Sequence, residues 1–310
     1  METAQIAADV VSDPFPSAAP PSPPTSAPIV ADSYGVSIAG STRMSNEDQF
    51  VVATLARALF VQQSSVRQSA YQYADSYGRL LVVAEGMGGQ RGSHEASTLA
   101  VNAIEHFLLR TLRWVFDLDS AAPDDDDRVV EELQGALRHA DSRVFEEAIV
   151  HPELRGMGAA VTLAYSRGPD LYVAHAGDSR CYLLRSRTLH LLTRDHTLEQ
   201  EMIDYGIVEP QNVDRHLLRH IVTNAIGGGS PGVDVEVHKV RLEPGDILLL
   251  CTDGLSSVVS DEEIAQTFEL WESPRAACDR LVACARERDG KDSVTAIVTR
   301  YDLDTSATAH

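Results

Sequence analysis

The chain has 310 residues, 44% of them hydrophobic and 23% charged, which is globular composition with enough length for one large core. Its formal net charge of -20 excludes binding to a nucleic-acid backbone, because an acidic surface repels phosphate and releases no counterions. No apolar run reaches the length of a membrane span, and the first residues lack the basic and apolar blocks of a secretion signal, so the expectation is a soluble cytoplasmic protein with no membrane contact.

Residues 1–32 are rich in Ala, Pro and Ser and bury too little apolar surface to offset ordering, which predicts a disordered tail. From Tyr34 the pattern turns to short β-rich runs at Tyr34 to Ala39, Gln49 to Thr54 and Leu80 to Ala84. A helix is predicted from about Ser93, where Ala96, Leu99, Ala100, Ala103, Ile104, Phe107 and Leu108 recur on one face. A second follows through Val130, Leu133, Leu137, Ala140 and Val144. The acids Asp124 to Asp127 precede it and read as a solvated cap that suits the helix dipole.

Strands return at Ala160 to Tyr165, Leu171 to Ala176, Arg180 to Leu184, Val233 to Val240, Ile247 to Leu250 and Val294 to Thr299. The long connection from His196 to Gly232 reads as a surface flap. Two late helices are marked by a capping box at Ser260 to Glu263 and by Ser273-Pro274. Cys181, Cys251, Cys278 and Cys284 have no CxxC spacing and read as reduced thiols. Runs of strands separated by pairs of helices predict an α+β fold of antiparallel sheets covered by helices. The expected domain spans residues 33–302, with a short tail over 303–310.

Acids fall at strand ends: Asp48 opens a strand, Glu85 and Asp253 each close one ahead of a glycine, and Asp292 precedes the last. Carboxylates gathered by one sheet system repel each other unless a cation neutralises them. Oxygen donors select a hard divalent ion, Mg2+ or Mn2+.

The segments Arg43-Met-Ser-Asn46-Glu47-Asp48, Glu85-Gly86-Met87-Gly88-Gly89, Gly156-Met157-Gly158, Gly177-Asp178-Ser179-Arg180, Leu192-Thr-Arg-Asp195-His196-Thr197, Thr252-Asp253-Gly254-Leu255 and Asp292-Ser293-Val-Thr295 follow one another in chain order. In that order the sequence resembles metal-dependent protein serine/threonine phosphatases of the type 2C (PPM) family, in a bacterial style, over roughly Tyr34 to Tyr301. The resemblance implies an α-β-β-α sandwich of two antiparallel sheets flanked by helices. It implies two metal ions, with Glu85 bridging them, the Gly86 backbone carbonyl on one, and Asp253 and Asp292 on the other. Glu47 and Asp48 would hold metal-bound waters, Asp178 with Asp253 would hold the third ion of bacterial members, and Arg43 would clamp phosphate.

The implied activity is hydrolysis of phosphoserine and phosphothreonine in proteins by a metal-bridged hydroxide, countering a serine/threonine kinase or acting on its substrates. Met87 stands where many eukaryotic members carry a histidine, and His94, His175 and His196 read as structural. Three positions depart from the family: Glu85 for the usual aspartate, Ala159-Ala160 for Thr or Ser, and Ser293 for Asn. Glu85 is one methylene longer at a crowded point, so two readings stand: an active phosphatase with an adjusted metal site, or a pseudophosphatase that binds phosphoproteins without turnover.

Overall fold

The computed structural model describes residues 29–43, 45–60, 62, 71–111, 125–208, 218, 220–229, 231–270, 273–288 and 290–303. Most of the tail expected over 1–32, and all of the C-terminal one beyond Leu303, lie outside the described residues.

Among the described residues, eleven strands and six α-helices alternate in runs. They are β1 (Ile29–Ile38), β2 (Asp48–Phe60), β3 (Tyr71–Met87), α1 (Gln90–Thr111), α2 (Asp125–Val150), β4 (Gly158–Arg167), β5 (Asp170–Ala176), β6 (Arg180–Arg185) and β7 (Thr188–Leu191). The chain continues with α3 (Leu198–Asp204), β8 (Ile226–Gly227), β9 (Glu236–Arg241), β10 (Ile247–Cys251), α4 (Asp253–Ser256), α5 (Asp261–Leu270), α6 (Pro274–Arg288) and β11 (Val294–Leu303). One sheet has the order β1-β11-β10-β6-β7, the other β2-β3-β4-β5-β9, with β8 added to β4. All the pairings are antiparallel.

Strand alternation explains the layering. On β3, Leu80, Val82 and Ala84 face α1 and α2, while Leu81 and Val83 point the other way, into the space between the sheets. On β10, Ile247, Leu249 and Cys251 face α5 and α6, while Leu248 and Leu250 meet Leu81 and Val83 between the sheets. Strands apolar on both faces therefore sit in the middle of a helix–sheet–sheet–helix stack with three apolar interfaces. This is the α-β-β-α sandwich implied by the resemblance.

The capping box at Ser260 forms: its N–H donates to Glu263 Oε2 at 3.1 Å, and Ser260 Oγ accepts the Glu263 N–H at 3.4 Å. Ser273 Oγ likewise caps α6, accepting the Ala276 N–H at 3.2 Å, with Pro274 opening the helix. The four cysteines are free thiols, three of them buried.

Several expectations change. The tail expected over 1–32 ends sooner, because Ile29 to Asp32 already pair with β11 as the start of β1. The strand predicted as Gln49 to Thr54 runs from Asp48 to Phe60, longer than expected at its C-terminal end, with Asp48 opening it as read from the sequence. Thr188–Leu191 and Ile226–Gly227 form strands that carry no sequence signal, being short and, for the first, mostly exposed. The acidic run is more than a solvated cap, because Asp126 accepts from the Tyr172 hydroxyl and from Lys239 Nζ, tying the start of α2 to β5 and β9. Packing decided that role; local charge could not show it.

Candidate active site

The two sheets bring their acid-bearing ends together. Asp48 on β2 lies directly opposite Glu85 on β3, since the two residues are register partners. Asp253 begins α4 after β10, and Asp292 precedes β11, the neighbour of β10 in the other sheet. Asp178 follows β5. Arg43, Glu47, Asp48, Glu85, Gly86, Asp178, Asp253 and Asp292 all line one cleft of about 420 Å³, together with Met87, Ser93, His220, Val222 and Ser293.

Two of the motif glycines exist for close approach. A Cβ on Gly86 would stand 1.9 Å from the Ser93 carbonyl oxygen, and one on Gly254 2.0 Å from that of Ser293. Backbone therefore packs on backbone beside Glu85 and Asp253, which draws those acids toward the first turn of α1 and the loop before β11.

Each acid is held differently. Glu85 Oε2 accepts the Asp253 backbone N–H at 3.0 Å, so its extra methylene carries the carboxylate across to the opposite loop. Asp48 Oδ2 accepts from the Thr252 and Thr295 hydroxyls at 2.9 and 2.7 Å, and Ser37 Oγ lies 2.7 Å from Thr295 Oγ1. The backbone N–H of Glu47 donates to Ser293 Oγ at 3.2 Å. Arg43 pairs with Glu47 at 3.0 Å and donates through Nε and Nη2 to one Asp292 oxygen. Asp292 is half exposed, whereas Asp48 and Asp178 are buried.

Burial sets the electrostatics. It pushes Asp48 up to about 7 against the pull of the two threonine hydroxyls, with the charges of Asp253 and Asp292 adding to the rise. Burial, then Asp253 and Asp195, push Asp178 up to about 7 as well. Glu85 is raised well above the usual carboxylate range by burial and by the charges of Asp253, Asp178 and Asp48. Mutual repulsion among desolvated carboxylates is what a cation relieves.

Among the described residues no three acidic, histidine or cysteine side chains already stand in a ligand cluster; the acids ring the cleft instead. The donor set still fits a hard divalent ion: it is all oxygen, it includes the raised carboxylates, and Glu47 Oε1 is buried with no hydrogen-bond partner. Asp48 and Asp178 have folded-state pKa values above the ordinary 3.8, so the metal-free fold holds extra protons between those values and loses stability as pH rises through that window. A cation must displace those protons. Added Mn2+ is therefore expected to raise the melting midpoint of EDTA-stripped protein strongly at pH 8 and much less at pH 5.5, read by thermal denaturation.

Several contributors were not singled out from the sequence. Thr252 and Thr295 lie inside quoted motifs, and their hydroxyl chemistry beside Asp48 was the available signal. His220, with Nδ1 3.8 Å from Asp253 Oδ2, had none. Asp141 on α2 holds the glycine-rich loop beyond the cleft by accepting the N–H groups of Gly227 and Gly232 at 2.7 and 2.9 Å. His94 and His175 have structural partners, the Asn46 carbonyl and the Thr162 hydroxyl, each at 2.9 Å.

A family model described as protein phosphatase 2C matches residues 61–298. The serine/threonine protein phosphatase PstP of Mycobacterium tuberculosis is 34% identical over 220 residues, covering 71% of this chain and 40% of that protein. The serine/threonine phosphatase stp of Listeria monocytogenes is 28% identical over 228 residues, covering 72% of this chain and 85% of that protein. A crystal structure of the PstP catalytic domain in complex with two manganese ions superposes with a TM-score of 0.66 at 28% identity, covering 88% of this chain and 99% of that one. The chain belongs to the protein phosphatase 2C family. It spans less than half the length of the mycobacterial relative, at 40%.

Proposed function

We propose that the protein removes phosphate from phosphoserine and phosphothreonine in proteins, with bound Mn2+ or Mg2+, and thereby opposes a serine/threonine kinase in the cytoplasm. The observation that carries this is the ring of Glu85, Asp48, Asp178, Asp253 and Asp292 around one cleft with Arg43 on its rim. Glu85, Asp253, Asp292 and the Gly86 carbonyl would hold two ions, Glu47 and Asp48 would act through water, and Asp178 with Asp253 would hold a third. Divalent ions bound there supply positive charge for the phosphoryl oxygens and acidify a water molecule as nucleophile.

The chain's own side chains do the rest. Arg43 is placed by Glu47 and presents a planar fork of N–H donors that suits two phosphoryl oxygens. Thr252 and Thr295 fix one Asp48 oxygen and so aim the other. The alternative of a binding module without turnover finds no support. The acids and the arginine line one cleft, and the relatives reported above are named phosphatases.

The purified chain with Mn2+ should hydrolyse an aryl phosphate and a phosphothreonine peptide and stop on addition of EDTA. Absence of turnover at every metal concentration would overturn the proposal. Glu85→Asp should keep turnover while shifting the metal preference, measured as rate against Mn2+ and Mg2+ concentration, because a shorter arm resets the spacing between ions. If activity arose only in Glu85→Asp, the native chain would be a binding module.

A further inference from the structure

His196 sits between three parts of the molecule. It precedes α3 at the start of the flap, and its backbone N–H donates to the Gly177 carbonyl at 2.8 Å. The Gly177 N–H returns a bond of 3.1 Å to His196 Nδ1, so the residue immediately before Asp178 is gripped at both its polar groups. The His196 carbonyl accepts the Thr223 N–H at 2.9 Å, and Thr197 forms a β-bridge with Val222, a wall of the cleft.

The protonation of the ring follows from its neighbours. The amide of Asn224 is oriented by Asp234, whose N–H donates to Asn224 Oδ1 at 3.0 Å and whose carbonyl accepts from Nδ2 at 2.8 Å. That leaves Asn224 Nδ2 as a donor 2.9 Å from His196 Nδ1, beside the Gly177 N–H. Two donors face one ring nitrogen, which therefore carries a lone pair and no proton. The proton is on Nε2, 3.5 Å from Glu236 Oε2. The ring packs on that of His175, with centroids 4.9 Å apart, and the imidazole is mostly buried.

We infer that His196 is a positioning residue for Asp178. Its Nδ1 lone pair fastens the Gly177-Asp178 turn to the returning segment of the flap at Thr223-Asn224, so that a carboxylate of the cleft and the flap wall share one register. The sequence marked His196 only as structural. The inference rests on the proposed metal role of Asp178 and sharpens it, since groups behind a metal site set the placement of its ligands.

The test uses the full chain stripped of metal and reads Mn2+ binding by calorimetry, independently of turnover. His196→Phe keeps a ring of similar shape without the acceptor and is expected to weaken Mn2+ binding about 10-fold or more, whereas His196→Asn, with an oxygen near the Nδ1 position, stays within about threefold of the unsubstituted protein. In an Asp178→Asn background the same Phe substitution should add no further loss, because it acts through a carboxylate already removed.

Unchanged Mn2+ binding by folded His196→Phe protein, or losses that simply add in the double variant, would overturn the inference. If His196→Phe does not fold, the comparison passes to His196→Asn and His196→Gln. Gln places its polar end near Nε2 instead, and equal Mn2+ binding by the two would also overturn it. An unsubstituted chain that binds Mn2+ but never hydrolyses phosphate defeats the proposed function alone and leaves the positioning role standing. A chain that takes no Mn2+ defeats both.

Discussion

Replacing Asp253 with Asn is expected to lower hydrolysis by more than about 100-fold, since even groups behind a metal ligand cost 10- to 100-fold when removed. Asp253 sits at the centre of the cleft's electrostatics. After burial, its charge is the largest cause raising both Glu85 and Asp178, and it also raises Asp48. The same substitution should raise the melting midpoint of metal-free protein, because it removes a charge that repels three partly or fully buried carboxylates. Opposite movements of activity and stability distinguish a site residue from a packing residue. A variant that loses both would place Asp253 among the structural acids.

The second large effect is at Arg43. Its guanidinium is held by Glu47 and Asp292 at the rim of the cleft, about one third exposed, where an incoming phosphate can reach it. Losing a charge-assisted fork of about 3 kcal/mol implies that Arg43→Ala lowers kcat/KM for an aryl phosphate about 100-fold. Arg43→Lys should recover only part of this, because a point charge cannot bind two oxygens in fixed geometry. Steady-state kinetics at saturating Mn2+ reads both. An unaltered kcat/KM in Arg43→Ala would show that the arginine is a surface partner for the acids and no clamp.

Ser293 and Glu85 each tie one side of the cleft to the backbone of the other. Ser293 uses its hydroxyl to accept the Glu47 N–H, and Glu85 uses its added length to reach the Asp253 N–H. Ala159 and Ala160 are fully buried in β4, with Ala160 opposite Glu85 in register. The small side chains leave no hydroxyl beside that acid.

Much of this molecule was legible in its sequence. The apolar runs of Leu80 to Ala84 and Ile247 to Leu250 marked strands, and the acids at their ends pointed to a shared site, because strand-forming runs bounded by polar and glycine residues are a local signal. Partners across the fold were not legible. Asp48 meets Thr252 and Thr295 from 204 and 247 residues away, Arg43 meets Asp292 from 249, and Asp126 meets Lys239 from 113. His196 looked like an ordinary loop histidine until the register of the flap placed Gly177 and Asn224 on one side of its ring. Residue types and their order along the chain determined which oxygen donors gather at the strand ends, whereas sheet register and loop closure decided that one oxygen of Asp48 is tied to Thr252 and Thr295 and one of Glu85 to the Asp253 N–H.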